Sequence, residues 1–392
     1  MTHPGEGDAL RAEAPRLRVL QVFEPPDGGV AEHVTALTTA LVRRGHHAEV
    51  AGPALSAVRR ALPAEVPYRP LPYGRSYRTP IRDAAALATL VALLRRERYD
   101  LVHAHSAKAG VLARLAARVA GVPCLYTPHA YPFMGEVSRA RQAFATVVER
   151  ALGRWTAQTI CVCAAERDEA LRRRIAPAER LKIVYNGVGP CPDVEPDPEL
   201  ARLEDGRVLV GAVSVLRRQK GIDVLLEAAP AILAGDERVH VVVVGDGPLT
   251  ETHHAQARRL GLEEGVTFLP FRPPGARALR ALDVVVVPSR WEAFPIAVLE
   301  AMACATPVVA TAVGGVPEAL ADGGGRLVPS GDPTALAAAV LELCASEADR
   351  RAVGAAGRAA VERRFTLEGM VAATEAVYAT AVPATARLEA VG

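Results

Sequence analysis

Pro190-Cys-Pro-Asp-Val-Glu-Pro-Asp-Pro198 decides how this chain is organised. Four prolines in nine residues stop a helix and a central strand alike, because each removes a backbone donor and fixes φ. The segment is a linker, and it divides the 392 residues nearly in half. Up to Pro198 there are 27 basic and 20 acidic side chains, net +7; the remainder has 19 and 24, net −5. The near-neutral total of +2 thus hides two halves of opposite sign, which predicts different partners for each.

Outward from the linker, each half alternates short apolar runs rich in β-branched residues with longer helical ones. Before it, Leu17–Phe23, His47–Ala51, Leu101–His105, Cys124–Thr127, Thr159–Val162 and Leu181–Tyr185 read as strands. Helical patterns cover Val30–Arg44, Ile81–Arg98, Ala107–Ala120 and Arg139–Trp155. After it, Arg207–Val215, Val239–Gly245, Val266–Leu269, Asp283–Pro288 and Pro307–Ala310 are strands separated by helices. Runs apolar on both faces suit sheets covered on both sides, and strict strand–helix alternation makes parallel, right-handed βαβ units. The expected class is α/β, with two Rossmann-like doubly wound parallel sheets facing a cleft. The expected domains are 1–198, 199–364 and a C-terminal helix and tail, 365–392, whose helix packs back on the first domain. Ligands of such sheets bind at the carboxyl ends of the strands, so the cleft is where chemistry belongs.

Composition excludes several classes. Ala84–Leu94, an uncharged apolar stretch, is too short to cross a bilayer, and Met1–Arg11 lacks the apolar core of a signal peptide. The six cysteines are scattered or, for Cys161 and Cys163, two apart in a strand; no metal-type spacing occurs, and neither structural zinc nor a disulfide framework is expected. These features predict a cytoplasmic protein, with no nucleic-acid partner. Only Lys108, Lys182 and Lys220 are lysines, against 43 arginines, so a lysine at a loop apex draws notice.

The most informative motif is Ser289-Arg-Trp-Glu-Ala-Phe-Pro-Ile-Ala-Val-Leu-Glu-Ala-Met-Ala303, which follows a buried strand and opens a helix at Pro295. Glu292 lies in the loop and Glu300 on the helix. Their spacing is wrong for an acid/base pair flanking one bond but suits two separate hydroxyl clusters, a hexose and a ribose. The N–H groups from Phe294 onward would meet an anion.

This segment resembles the Glu-x7-Glu signature of retaining, nucleotide-sugar glycosyltransferases of the GT-B type, family 4. Six further segments match that family in order: Gly28-Gly29-Val30, Thr127-Pro-His-Ala-Tyr131, Asn186-Gly187-Val188, Leu216-Arg-Arg-Gln-Lys-Gly221, Val244-Gly-Asp-Gly-Pro248 and Gly314-Gly-Val-Pro-Glu318. The resemblance implies that Glu300 holds the ribose hydroxyls, and that Glu292 with the backbone of Ala293, Phe294, Pro295 and Ile296 holds the donor hexose. It implies diphosphate binding by Arg217 and Lys220, with Arg218 as an alternative to Arg217, donor binding at the glycine loop of Gly245, and a donor-sugar contact from His129. Gly28 and Gly29 lie on the diphosphate or acceptor side, with His33 and His105 as acceptor-side candidates. Preorganised cations and helix N-termini are what a departing diphosphate needs. No two aspartates stand two apart, so no metal is expected and no cofactor besides the nucleotide-sugar substrate. The rival dinucleotide motif fails, since Thr250 stands where Gly245-Asp-Gly247 would need a third glycine or alanine.

The expected function is metal-independent transfer of a hexose from a nucleotide diphosphate sugar, UDP ahead of GDP, to a hydroxyl acceptor of unread identity. A nucleotide-sugar 2-epimerase and a non-catalytic sugar-nucleotide-binding protein stay open. Arg139, Arg141, Arg150 and Arg154 decorate one helix with Phe144 and Val147 between them, a basic surface that could meet an anionic membrane at its inner face; a solvated arginine face is the alternative.

Overall fold

The computed structural model describes residues 16–72, 79–203 and 206–382. The first sheet contains β1 (Arg18–Val22), β2 (His47–Pro53), β3 (Tyr68–Leu71), β4 (Leu101–His105), β5 (Cys124–Thr127), β6 (Gln158–Cys161) and β7 (Leu181–Ile183). Its order is β3-β2-β1-β4-β5-β6-β7, parallel throughout. The second contains β8 (Val208–Val213), β9 (Val239–Val244), β10 (Val266–Leu269), β11 (Val284–Val287), β12 (Val308–Thr311) and β13 (Gly325–Val328), in the order β10-β9-β8-β11-β12-β13. Both are doubly wound. The strand order reverses between β1 and β4 and between β8 and β11, so the loops after those strands splay apart and leave a crevice at each switch point.

Two strands escaped the sequence reading, β3 and β13, and both are sheet edges. Tyr68-Arg-Pro-Leu71 contains a proline, tolerable only where one side of the ladder is unpaired, and Gly325-Arg-Leu-Val328 is too short and polar to show a period. Each sheet buries apolar side chains on both faces. In the first, Leu20, Val22 and Val102 share one core, while Val19, Leu101 and Leu125 share another with Met370, Val377 and Tyr378. Those last residues belong to the final helix, Leu367–Ala381, which lies on the first domain: Tyr378 Oη accepts from Gln21 Nε2 at 3.0 Å, and Arg44 and His46 hold Glu375.

The chain crosses between domains twice at one place. Val188 N–H donates to Phe365 O and Leu367 N–H to Val188 O, and a Cβ on Gly187 would lie 2.2 Å from the Thr366 carbonyl. Contrary to the expectation of unpaired cysteines, two of them are joined. Cys191 of the linker and Cys304 at the end of helix Ile296–Ala303 form a disulfide, although 113 residues separate them. Their Cα atoms stand 4.8 Å apart, within disulfide range, because the linker folds back along the second domain. The cysteines therefore give no support to a cytoplasmic setting. No helix among the described residues is long and apolar enough to cross a membrane.

Helix Arg139–Gly153 turns Ala145, Thr146, Glu149 and Leu152 inward. Arg139, Arg141, Arg150 and Arg154 are exposed, and so are Phe144 and Val147.

Candidate active site

The second-domain wall is built by the loops after β8 and β11, the two strands flanking the switch point. The loop after β11 reaches Pro295, the residue that caps helix Ile296–Ala303, one position earlier than a first-turn proline. Glu292 in that loop is buried, and its carboxylate collects three donors. Lys220 Nζ reaches Oε1 at 2.6 Å, Ser289 Oγ the same oxygen at 2.8 Å, and Gln219 Nε2 reaches Oε2 at 3.5 Å. Lys220 comes from the loop after β8, a short 3-10 turn, Arg218–Lys220, closed by Gly221. Gly221 sits at φ 64°, and a Cβ there would lie 1.9 Å from the Pro288 carbonyl, so only glycine lets the two loops touch. Arg290 strengthens the junction: its guanidinium forks onto Asp223 at 2.7 and 2.6 Å, and its N–H donates to the Gln219 carbonyl. Gly245, at φ 145°, stands behind this loop; a Cβ there would meet the Ser214 carbonyl at 1.9 Å.

The sequence assigned Lys220 and Glu292 to separate ligand groups, and the structure joins them in one ion pair. The two arginines part company. Arg217 Nη2 lies 3.2 Å from Asp27 Oδ1, beside the first-domain glycine loop, whereas Arg218 donates to Glu136 at 2.7 Å. Both thus reach across the cleft to carboxylates. Ala293 and Phe294 present backbone only: the Ala293 carbonyl accepts from Gly315 N–H, and the Phe294 ring is buried beside Tyr185 and Phe365.

Glu300 projects from the signature helix toward the first domain. Burial, and then the negative charge of Glu32, raise its carboxyl to about 7. Glu32 is raised in turn by its surroundings, against the pull of Lys220. The helix Gly29–Arg43, which follows β1, stands opposite these second-domain loops. Gly28 caps that helix at φ 79°, and a Cβ on Gly29 would stand 3.9 Å from Ile296 Cδ1 of the other domain.

The first-domain wall gathers histidines from three elements. His33 lies in the opening turns of helix Gly29–Arg43, His105 ends β4, and His129 follows β5. Strand adjacency brings them together: ring centroids are 4.6 Å apart for His33–His129 and 5.4 Å for both His33–His105 and His105–His129. His105 Nδ1 stands 3.1 Å from His129 Nε2, and His105 Nε2 is 2.8 Å from Gln21 Oε1. His33 Nδ1 is 3.0 Å from Asn186 Oδ1, while Asn186 Nδ2 donates to the Phe294 carbonyl across the domain boundary. Burial lowers His33 to about 4 and His105 and His129 well below the usual range, so the cluster is neutral at pH 7.

Residues without a readable motif hold this wall in shape. Glu166, fully buried, accepts from Ala130 N–H and Val162 N–H, both at 2.8 Å, and fixes the turn in which His129 and Ala130 adopt φ of 52° and 80°. Glu318, from the last family segment, accepts from Ala164 N–H and Ala165 N–H at the start of helix Ala164–Arg172 and from Tyr185 Oη, tying the domains together. Only Glu318 had a sequence signal. Gln21, inside a strand run, and Glu166, on an ordinary helix, had none.

Comparison with known proteins agrees with this architecture. Residues 27–190 match the model described as Glycosyltransferase Family 4, and residues 194–360 that described as Glycosyl transferases group 1. The D-inositol 3-phosphate glycosyltransferase of Xylanimonas cellulosilytica is 32% identical, covering 94% of this chain and 97% of that one. The protein of the same description from Segniliparus rotundus is 33% identical over 71% of this chain, and the match spans 66% of its length, just under two thirds. Among solved structures, Anabaena Alr3699/HepE in complex with UDP and glucose superposes with a TM-score of 0.79 over 93% of this chain and 100% of that chain, at 23% identity.

Proposed function

The chain belongs to glycosyltransferase family 4, and we propose that it transfers a hexose from a UDP-sugar to a hydroxyl acceptor with retention of anomeric configuration. The observation that carries this reading is the Lys220–Glu292 pair at 2.6 Å, set where the loops after β8 and β11 meet and faced by the glycine-capped helix Gly29–Arg43. A diphosphate arriving there finds a lysine, the Arg217 guanidinium and two helix N-termini, which together stabilise the charge that develops as the bond to the anomeric carbon breaks. Glu292 and the first N–H groups of helix Ile296–Ala303 take the hexose, Glu300 the ribose, and His129 the sugar from the first-domain side. The acceptor oxygen attacks on the face the diphosphate leaves, and its proton passes to the departing phosphate oxygen. Charge neutralisation by these groups makes a metal unnecessary for the transfer.

Relatives described as D-inositol 3-phosphate glycosyltransferases support a small polyol phosphate as acceptor. The exposed Phe144 and Val147 among Arg139, Arg141, Arg150 and Arg154 favour the second reading, a lipid-linked acceptor at an anionic surface. Incubating the protein with UDP-glucose and each acceptor class, and following UDP release and product by mass, tests both. UDP-glucose that neither raises the melting temperature nor is consumed with any acceptor defeats the assignment. Conversion of donor without acceptor to an epimer would favour the epimerase.

The Glu300 assignment carries a pH dependence. With a carboxyl near 7, Glu300 is mostly protonated at pH 6 and mostly ionised at pH 8, and only the ionised form accepts from both ribose hydroxyls. UDP-glucose is the suitable probe because its diphosphate diester does not titrate in this interval. Its affinity is expected to rise several-fold from pH 6 to pH 8. Glu32→Gln removes the neighbouring negative charge and moves the midpoint to lower pH. Affinity flat with pH in both proteins contradicts the role given to Glu300.

A further inference from the structure

We propose that His33, His105 and His129 form a binding site for one transition-metal ion of the zinc class. Each offers one ring nitrogen, and these three atoms lie within 4.8 Å of one another. Three imidazoles on a tetrahedral ion, with metal–nitrogen bonds of about 2.0–2.1 Å, put neighbouring nitrogens about 3.3 Å and ring centres about 5 Å apart. The observed centroid distances of 4.6, 5.4 and 5.4 Å bracket that value, and His105 Nδ1 and His129 Nε2 are already 3.1 Å apart. Small ring rotations, chiefly of His33, complete the set.

The hydrogen bonds behind the rings argue more strongly than the distances. Gln21 Oε1 and Asn186 Oδ1 are carbonyl oxygens that only accept, and the Asn186 amide is oriented by its own donation to the Phe294 carbonyl. The network therefore assigns the protons to His105 Nε2 and His33 Nδ1 and leaves lone pairs on His105 Nδ1 and His33 Nε2. An imidazole whose far N–H is held by a carbonyl, with its near nitrogen turned toward two others, is the arrangement that orients ligands in metal sites. His129 supplies the third nitrogen. Without an ion its Nε2–H donates to His105 Nδ1; on binding, that proton moves to Nδ1 and Nε2 joins the metal. His103, behind His105 with its ring centre 4.0 Å away, takes no part, because Tyr378 Oη and Thr127 Oγ1 engage both of its nitrogens.

The backbone points the same way. His129 and Ala130 are consecutive non-glycine residues at positive φ, a strained conformation that persists only when its surroundings impose it. Glu166 imposes it through the Ala130 N–H. His129 is partly exposed while His33 and His105 are buried, so an ion enters from the His129 side, and its fourth position opens there for water.

The test uses the full-length protein without an affinity tag and needs no sugar substrate. Calorimetry with Zn2+, and absorption spectra with Co2+ alone, are expected to show one equivalent bound, tetrahedral cobalt bands and a raised melting temperature. His129→Gln and His33→Gln should each weaken binding by at least about tenfold and abolish the cobalt bands, while His47→Ala, at an exposed histidine outside the cluster, leaves them unchanged. Melting curves without metal verify that each variant is folded. Should His33→Gln fail to fold, the partly exposed His129 position still decides the matter. The proposal is overturned by the lack of a saturable single site in the unsubstituted protein, or by equal affinity in folded His129→Gln.

Discussion

Replacing Lys220 by methionine is expected to lower kcat by about 10²–10³-fold with UDP-glucose while the protein stays folded. A single preorganised donor to a developing oxyanion is worth that much when removed, because the reaction needs it most as the diphosphate departs. The geometry explains why the fold survives. Glu292 loses its ammonium partner but keeps Ser289 Oγ at 2.8 Å on the same oxygen and Gln219 Nε2 on the other, and the loops stay joined by Arg290 on Asp223. Lys220→Arg is expected to restore part of the rate only, since a planar fork does not replace a point charge against one carboxylate oxygen. Steady-state kinetics with melting curves check this. A folded Lys220→Met protein within threefold of the parent rate removes Lys220 from the mechanism.

The second large effect is on stability, and it lies away from the cleft. Arg114 and Glu149 are each 1% exposed and form a two-pronged pair at 2.9 and 3.1 Å. Arg114 also donates to the Gly110 carbonyl and stacks 3.9 Å over the Tyr126 ring, whose hydroxyl reaches Glu149 at 3.3 Å. Glu149→Ala strands a guanidinium inside the first domain, and breaking a buried pair this way costs about 3–5 kcal/mol. Against native stabilities of about 5–15 kcal/mol that is a large share. Replacing both partners by Arg114→Met with Glu149→Leu should cost distinctly less, because no charge is left unpaired. Urea unfolding of the three proteins distinguishes these outcomes, and a single variant losing under 1 kcal/mol contradicts the account.

Much of the fold is legible in the sequence because burial on both faces makes a strand a continuous apolar run. The eleven strands read that way all occur, and the two that were missed are edges, where one side of the strand has no neighbour to impose a pattern. The site was legible in pieces. Glu292, Glu300, Lys220 and the glycine loop stand in segments whose spacing carries meaning, and His33, His105 and His129 each lie at or just after a strand end or a glycine turn. That the three histidines touch follows from β1, β4 and β5 lying side by side, which no local pattern states.

Gln21, Asn186 and Glu166 show the limit most clearly. Each orients a histidine or its turn through one hydrogen bond of 2.8–3.0 Å; Asn186 stands in a family segment that does not state this role, and nothing near Gln21 and Glu166 in the chain distinguishes them from other buried polar residues. Cys191 and Cys304 are a second case: scattered in sequence, they are joined because the linker runs back along the second domain.

What the sequence by itself determined is the alternation of strands and helices, the division at Pro190–Pro198, and hence two sheets whose loops meet at their carboxyl ends. Those properties rest on periodicity and on backbone chemistry, which act over a few neighbouring residues. Only the tertiary structure decided that Lys220 closes on Glu292, 72 residues away, that Arg217 and Arg218 reach across to different carboxylates, and that neutral imidazoles gather on the facing wall. Such contacts depend on separations of a few tenths of an ångström, and it is the packing of whole elements that sets them.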